Sequence, residues 1–301
     1  MKQRLLPIFA LLLSGTACSY YRSAKGSVGA YIDRTRTHKI EETDIFTPHQ
    51  HSLRPEMSSR RNIEVPLPDG TVLRGFAIIR LEPRANLIYF GGNAEMAQIA
   101  TTKMMRMSEQ YNANVICVDY RGYGASTGTP QVRHLASDAL QVFDGTSELR
   151  GEMPNIVIGY SLGSIPAAYL AANRPLDGLV LMAPITSFDD GDMYPKKMRR
   201  KLKPVYRMPF ARFIKVRPGF EIPEQTEPLY QIPQARAPLL LIHGEADDVV
   251  PPECGQKLFD LATGQKTLLI LRGQGHGDVS ILEGLGAVVM KEFLENLELR
   301  T

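Results

Sequence analysis

The sequence has little excess charge, no internal repeat and no low-complexity tract. Its formal net charge is +3 and charged residues make up 22% of its 301 positions, whereas nucleic-acid binding usually requires a strongly basic face. We therefore expect no nucleic-acid partner and no repeat architecture. Tryptophan is also absent, which excludes nothing. Hydrophobic residues make up 44% of the chain, enough for one large domain with a buried core.

An apolar run long enough to cross a bilayer is absent near the start. The stretch from Leu5 to Leu13 is too short to span a membrane, but it suits the core of a signal peptide. Basic residues precede it, and small residues lead from it into Cys18. This pattern resembles the lipobox of bacterial lipoproteins, although Gly15 stands where leucine is commonest.

We therefore expect residues 1–17 to be a lipoprotein signal peptide, Cys18 to be lipidated, and residues 18–60 to be a polar tether. Several acyl chains on one cysteine would hold the protein at a membrane. Ser19 after the cysteine implies, within the lipoprotein pattern, the outer membrane facing the periplasm. The alternative is an ordinary signal peptide that happens to contain a cysteine.

Few residues are suited to metal binding or disulfide formation. Cys117 lies in an apolar run and Cys254 opens a helix far along the chain. About four strand spacings of ~4.8 Å would separate them in the fold described below, beyond the ~7 Å limit for a bridge. We expect two buried thiols. His49 and His51 lie in a polar segment without convincing partner ligands, so no metal site is expected.

Short apolar segments alternate with helix-like segments over most of the chain, after a strand pair joined by a Pro-Asp-Gly turn. This alternation predicts an α/β fold, with a mostly parallel sheet and helices on both faces. The predicted strands are 63–67, 72–79, 87–90, 115–119, 156–159, 178–182, 238–243 and 267–271, and the predicted helices are 96–110, 132–149, 162–172, 252–262 and 279–297.

One segment, about 186–236, interrupts this alternation and is too long for a plain connection in a compact domain. It is rich in Pro, Met, Lys and Arg, and we interpret it as an inserted lid. A cluster of basic residues lies between Lys196 and Lys203. This cluster is either a solvated helix face or a contact with anionic head groups or an acidic substrate.

The sequence Gly-Tyr-Ser-Leu-Gly at 159–163 follows a predicted strand and precedes a predicted helix. In that context a Gly-x-Ser-x-Gly string predicts a nucleophile elbow, a sharp turn that lifts the Ser161 hydroxyl above the sheet. The turn also directs the Leu162 N–H toward a developing oxyanion. The alternative is a glycine-rich turn with an incidental serine.

A serine hydroxyl needs a base, and the base needs an acid that fixes its tautomer. The elbow fold supplies them in the order Ser, acid, His, and the loops after two late strands provide Asp247 and then His276. Several rivals stand nearby or elsewhere in the chain. Asp248 and Asp278 are interpreted as loop carboxylates without a role, His243 as a structural histidine at a strand end, and His134 as a helix residue.

These motifs together resemble the α/β-hydrolases, in the branch with acyl-protein thioesterase-like and serine aminopeptidase-like members. The branch's His-Gly-Asn-Ala-Gly-Asn loop reads Gly-Gly-Asn-Ala-Glu-Met at 91–96, and its next signature is almost intact at 119–128. Its acid motif His-Gly-x-x-Asp-x-x-Val-Pro matches at 243–251, and its Gly-x-Gly-His motif matches at 273–276. The resemblance covers about 63–297 and implies an α/β-hydrolase domain over 61–301.

The resemblance also implies a second oxyanion donor, the backbone N–H of Asn93. The sequence departs from the pattern beside it, since Gly91 replaces His and Glu95 replaces Gly. A backbone donor tolerates such changes, but the loop shape and the fit to substrate are open. Asp119, Arg121 and Tyr123 are expected to stabilise the rim of the site rather than to react.

The expected activity is hydrolysis of carboxylic esters or thioesters of small or acylated substrates. No cofactor is implied, because the nucleophile, base and oxyanion donors are all protein groups. Two alternatives remain, a peptidase or amidase of the same fold, and an envelope lipoprotein that uses the hydrolase scaffold to bind a partner. The sequence leaves the substrate and the oligomeric state open.

Overall fold

A computed structural model of the protein describes residues 58–188 and 223–298. Its strands are β1 Ser58–Pro66, β2 Val72–Arg80, β3 Asn86–Phe90, β4 Asn114–Val118, β5 Asn155–Tyr160, β6 Gly178–Met182, β7 Leu239–Gly244 and β8 Lys266–Leu271. Its helices are α1 Thr101–Tyr111, α2 Leu135–Gly145, α3 Ser147–Arg150, α4 Ser164–Asn173, α5 Pro228–Gln231, α6 Pro252–Leu261 and α7 Gly284–Glu298.

The strands form one mixed sheet in the order β1-β2-β4-β3-β5-β6-β7-β8. The first pair and the β2–β4 pair are antiparallel, and every other neighbouring pair is parallel. Parallel strands end at the same edge of a sheet, so the loops after β3, β5, β7 and β8 meet along one edge. This shared edge brings together residues that lie far apart in the sequence.

Two apolar layers cover the sheet, one on each face. Alternate strand residues such as Tyr89 and Ile158 pack with α1 and α7 on one face, and their neighbours Ile88 and Val157 pack with α2, α4 and α6 on the other. Strands β3, β4, β6 and β7 are buried along their whole length, as expected of parallel strands covered on both sides. The predicted α/β architecture is confirmed.

The predicted helix ends differ from the structure where loop contacts compete with helical hydrogen bonds. The helix expected from residue 96 begins at Thr101, and residues 97–100 form turns, with the Ala97 N–H donating to Asp119 Oδ1 at 2.6 Å. The helix expected over 132–149 breaks at Thr146, whose hydroxyl donates to the Val142 carbonyl at 2.8 Å. The last helix begins at Gly284 rather than at residue 279.

The predicted lid insertion is described only at its two ends, where the chain leaves β6 and where it returns toward β7. The buried Glu227 carboxylate accepts hydrogen bonds from the Ser187 hydroxyl at 2.6 Å and the Phe188 N–H at 2.8 Å. The Leu229 N–H donates to the Thr186 carbonyl at 3.0 Å. The two ends are therefore tied side by side. Residues 189–222, with the basic cluster, lie outside the described residues, and the lid stays a prediction.

The signal peptide, Cys18, the tether, and His49 with His51 also lie outside the described residues. Within residues 58–188 and 223–298, no helix has the length and apolar character needed to cross a membrane.

The two cysteines of the described chain form no disulfide, as predicted. Cys117 lies on β4 and Cys254 on α6 after β7, with β3, β5 and β6 between β4 and β7. Both side chains are buried, and burial raises the pKa of the Cys117 thiol well above its ordinary value. A buried thiol that keeps its proton is a poor nucleophile.

We therefore predict that both thiols react with a disulfide reagent only after unfolding. The measurement is a thiol titration of a Cys18→Ser variant with 5,5′-dithiobis(2-nitrobenzoate), with and without denaturant and without reductant. We expect slow reaction in the folded protein and complete reaction of Cys117 and Cys254 in denaturant. An unfolded chain that shows no reactive thiol would mean that the two are bridged, contrary to the structure.

Candidate active site

Ser161 lies at the turn between β5 and α4, at the sheet edge where the loops meet. Its φ of +51° is strained for a residue with a side chain, as the elbow motif predicts. The glycines on either side allow the turn to pack closely. A Cβ added at Gly159 would lie 2.5 Å from the Gly163 carbonyl oxygen, and one added at Gly163 would lie 2.1 Å from the Phe90 carbonyl oxygen. A side chain at Gly159 would collide with the start of the following helix, and one at Gly163 would push the turn away from the end of β3.

The loops after β7 and β8 bring Asp247 and His276 to this turn. His276 Nε2 lies 3.0 Å from Ser161 Oγ, and His276 Nδ1 lies 2.6 Å from Asp247 Oδ2. The three side chains are thus hydrogen-bonded in series, with the imidazole between hydroxyl and carboxylate. An Nδ1–H donor to the carboxylate leaves Nε2 free to accept the serine proton.

The Asp247 carboxylate is buried and fixed by several donors. Its Oδ1 accepts the N–H groups of Val249 at 2.9 Å and Val250 at 2.8 Å. Burial raises its pKa, but hydrogen bonds from His243 and His276 outweigh this effect and lower the pKa to about 2. The side chain is therefore an ionised acceptor at neutral pH.

The two carboxylates considered as rivals stand apart from this series. Asp248 is exposed to solvent on the same loop. Asp278 accepts the Gly275 N–H at 2.8 Å and so shapes the turn that carries His276. Among the described residues no group of three or more potential metal ligands comes together.

His243 contacts the acid directly, which sequence reasoning missed. The side chain is fully buried, and its Nε2 lies 2.9 Å from the Val250 carbonyl oxygen and 3.3 Å from Asp247 Oδ2. Both neighbours are acceptors, so Nε2 carries the proton and the ring donates to them. The first residue of the His-Gly-x-x-Asp motif therefore helps to fix the acid, whereas the sequence suggested only a structural histidine.

Tyr160, the residue before the nucleophile, is the second contact that the sequence did not reveal. Its hydroxyl donates to the His276 carbonyl oxygen at 2.9 Å. Its ring stacks on the imidazole with 5.5 Å between the ring centroids and 29° between the planes. The elbow thus also holds the loop that carries the base.

The loop after β3, residues 91–95, lies beside the elbow. A Cβ added at Gly92 would lie 3.6 Å from Ser161 Cβ. The Gly91 carbonyl accepts the Tyr120 hydroxyl at 2.8 Å, and Asn93 Oδ1 accepts the Tyr123 hydroxyl at 2.9 Å. The Gly92 N–H donates to Glu95 Oε2 at 3.0 Å, so it is already engaged. The next amide along the loop is that of Asn93.

Residues 119–128, the second family signature, make hydrogen bonds that stabilise this loop. Besides the two tyrosines, Asp119 accepts the Ala97 N–H just after the loop. Arg121 forms a two-pronged ion pair with the carboxylate of Asp138, at 2.6 and 2.8 Å, which ties the signature to α2. Their contacts agree with the stabilising role expected from the sequence.

The fold is that of the α/β-hydrolases. Residues 81–221, just under half of the chain, match the family model described as serine aminopeptidase, S33.

Similar proteins include both curated sequences and solved structures. Human protein ABHD12B is 33% identical over 184 residues, which cover 58% of this chain and 49% of that protein. The zebrafish (Danio rerio) lysophosphatidylserine lipase ABHD12 is 29% identical over 190 residues, covering 60% and 48%. The chain thus spans about half the length of the curated relatives it matches. An esterase of Pyrococcus furiosus superposes with a TM-score of 0.59 at 18% identity, over 81% of this chain and 91% of the esterase, a likeness of fold.

Asp119 predicts a pH dependence of stability opposite to that of a paired carboxylate. Burial raises its pKa to about 6, against hydrogen bonds from the Ala97 and Ala125 N–H groups. The folded state therefore keeps a proton that the unfolded chain releases near the ordinary value of 3.8. This residue's contribution to the unfolding free energy then falls as pH rises from about 4 to about 6, by roughly 3 kcal/mol at most.

We expect Asp119→Asn to remove this decline, although the variant is less stable overall through a weakened hydrogen bond. Urea unfolding at about pH 4, 5 and 6 gives the unfolding free energy of both proteins. We expect the difference between wild type and variant to become smaller as the pH rises. If this difference in unfolding free energy stays constant or grows between pH 4 and pH 6, the buried carboxyl group is already ionised at about pH 4.

Proposed function

We propose that the chain is a serine hydrolase that cleaves carboxylic ester or thioester bonds through an acyl-enzyme on Ser161. The observation that carries the proposal is the series of contacts from Ser161 Oγ to His276 Nε2, at 3.0 Å, and from His276 Nδ1 to Asp247 Oδ2, at 2.6 Å. A hydroxyl becomes an effective nucleophile when such a base can take its proton.

In the first half-reaction Ser161 Oγ attacks the substrate carbonyl while His276 Nε2 accepts the hydroxyl proton. The negative charge that develops on the carbonyl oxygen is stabilised by the N–H groups of Leu162 and Asn93. Engagement of the Gly92 N–H by Glu95 supports the choice of Asn93 as the donor from this loop. The ionised Asp247 stabilises the imidazolium that forms.

Still in this half-reaction, His276 gives its proton to the leaving alkoxide or thiolate, and the acyl group stays on Ser161. The second half-reaction hydrolyses this acyl-enzyme. The imidazole then takes a proton from water, which attacks the acyl-enzyme. The serine regains its proton from the imidazolium as the acid product departs. The hydroxyl, the imidazole and the carboxylate thus return to their starting states.

The apolar surface beside Ser161 supports a substrate whose acid part is an acyl chain. Leu162, Val132 and Phe188 are partly buried there, and they pack on a buried cluster that includes Ile165 and Val250. Apolar surface of this kind gains free energy by covering hydrocarbon. The name of the zebrafish relative, a lysophosphatidylserine lipase, fits the same class of substrate.

A peptidase or amidase is the second candidate, because the matching family model is described as a serine aminopeptidase. We predict that the chain cleaves monoacyl lipid esters and p-nitrophenyl acyl esters with higher kcat/KM than aminoacyl p-nitroanilides. The apolar surface beside Ser161 favours acyl chains, and alcohols leave more readily than amines. Higher kcat/KM on the anilides would replace the esterase proposal with the peptidase.

Substitutions at the two neighbouring aspartates test the assignment of the acid. We predict that Asp247→Asn lowers kcat by about four orders of magnitude, because the imidazole loses the acceptor that fixes its tautomer. The matched control Asp248→Asn changes a carboxylate on the same loop that faces solvent, and it should leave kcat nearly unchanged. Steady-state kinetics on a p-nitrophenyl ester measure both. The reverse ranking would mean that the acid is Asp248.

Ser161→Ala separates catalysis from a purely binding scaffold. We expect the wild-type chain to react covalently with a fluorophosphonate probe and the variant to remain unlabelled, because only the activated hydroxyl attacks the phosphorus. Equal labelling of the two proteins would place the reactive nucleophile elsewhere. No labelling of either protein would favour the binding scaffold.

Lipid attachment at Cys18, and with it a place at the outer membrane facing the periplasm, is a separate proposal that rests on the sequence of residues 1–19. Radiolabelled palmitate should enter the protein expressed in a Gram-negative host and should not enter Cys18→Ser. Such an anchor would place the site near lipid substrates, but the chemistry does not require it.

A further inference from the structure

Glu95 lies in the loop after β3, at a position where the α/β-hydrolase branch that this sequence resembles has glycine. Its side chain is only 18% exposed, and both carboxylate oxygens have donors. Oε1 accepts the Lys103 ammonium at 2.7 Å, and Oε2 accepts the Tyr89 hydroxyl at 2.8 Å and the Gly92 N–H at 3.0 Å. The carboxylate thus joins the loop to strand β3 and to helix α1.

The loop is closed in two directions by this residue. The Gly92 N–H donates to the Glu95 carboxylate, and the Glu95 N–H donates back to the Gly92 carbonyl at 3.2 Å. Asn93 and Ala94 lie within this closed turn, and Ala94 has a strained φ of +63°. A strained turn persists only where surrounding contacts over-determine it, and a charged acceptor makes a stronger hydrogen bond than a neutral one.

Lys103 holds the carboxylate in this place. Its ammonium also donates to the Tyr89 hydroxyl at 2.8 Å and lies 5.3 Å from the centroid of the Tyr160 ring. The same tyrosine stacks on His276. The ion pair is partly buried, so removing one partner would leave the other charge poorly compensated and free to reorient.

The two departures from the family motif fit each other. A Cβ added at Gly91 would lie 3.1 Å from Glu95 Oε2 and 3.3 Å from Glu95 Cβ. These distances are tighter than ordinary van der Waals contacts, so a larger residue at 91 would crowd the Glu95 side chain. A glycine at 91 makes room for a glutamate at 95.

We propose that Glu95, held by Lys103, is a positioning residue for the oxyanion site: it fixes the 92–95 turn so that the Asn93 N–H keeps its direction toward the substrate's carbonyl oxygen. The inference rests on the proposed function. Glu95 itself contacts no reacting atom. Its effect should therefore be confined to interactions that form as the oxyanion develops.

The experiment compares Glu95→Ala, Glu95→Gln and Lys103→Met with wild type on a p-nitrophenyl acyl ester. We expect Glu95→Ala to lower kcat about 10- to 100-fold while KM stays within about twofold, as for loss of a transition-state interaction. Glu95→Gln keeps an acceptor without the charge and should lie between. Lys103→Met should follow Glu95→Ala, and Lys103→Arg should restore most of kcat because it keeps the ion pair.

Inhibition by a trifluoromethyl ketone that carries an acyl chain distinguishes a positioning role from a merely structural one. It adds to Ser161 and forms an oxyanion, so its inhibition constant should rise by the same factor as kcat falls across the series. The matched controls are Glu283→Gln and Arg106→Met, which break the exposed 3.0 Å ion pair between Arg106 of helix α1 and Glu283, the residue before α7. Both should keep wild-type kcat and inhibition.

Unchanged kcat and inhibition in folded Glu95→Ala, with Ser161→Ala still inactive, would overturn the inference and leave the proposed function standing. A change confined to KM would also overturn it. If circular dichroism shows that Glu95→Ala is unfolded, Glu95→Gln decides by the same criteria. A wild-type chain no more active than Ser161→Ala would overturn the proposed function itself.

Discussion

The site depends on the close approach of the turn between β5 and α4 to the end of β3. The backbone at Gly163 comes so near the Phe90 carbonyl that no side chain fits between them. This contact puts the strained Ser161 and the loop at 91–95 side by side. In the proposed mechanism, it allows a nucleophile and an oxyanion donor from separate strands to act on one substrate carbonyl. A rigid parallel sheet beneath both elements keeps the strain from relaxing.

Much of this arrangement was predictable from the sequence because it follows from chain order and periodicity. Alternating apolar strands and helices predict a parallel sheet, and a parallel sheet places the loops with Ser161, Asp247 and His276 at one edge. The choice of Asp247 over Asp248 followed from the motif, and the structure places Asp247, not Asp248, against His276. Helix ends were less predictable, since the apolar pattern continues through turns and bends that precede the helices beginning at Thr101 and Gly284.

The contacts that the sequence did not reveal join residues with no regular spacing. His243 meets Asp247 only because the loop after β7 folds back over the strand end. Tyr160 meets His276, 116 residues later, only because β5 and the loop after β8 reach the same edge. A motif shows that a position has one residue type but not which atom it touches. The donors around the acid and base therefore required the structure.

Two buried aspartates show that the environment sets the pH at which a carboxyl group ionises. Asp247 has imidazole donors on one oxygen and two N–H donors on the other, and its pKa falls to about 2. Asp119 is buried with backbone donors from Ala97 and Ala125, and burial outweighs these donors and raises its pKa to about 6. Asp119 braces the loop that contains the proposed oxyanion donor, whereas Asp247 orients the imidazole.

The loop after β3 differs in sequence from the family motif, but outside contacts still hold its backbone in a defined conformation. The proposed oxyanion donor is a backbone N–H group, so its direction depends on the contacts that hold the backbone in place. Here three tyrosine hydroxyls act on the loop: Tyr120 on its first carbonyl, Tyr123 on the Asn93 side chain and Tyr89 on Glu95. With so many contacts from outside, the loop does not depend on the family's histidine at position 91. Its altered sequence is thus compatible with a working oxyanion site, provided that the carboxylate at 95 keeps its hold on the Gly92 N–H.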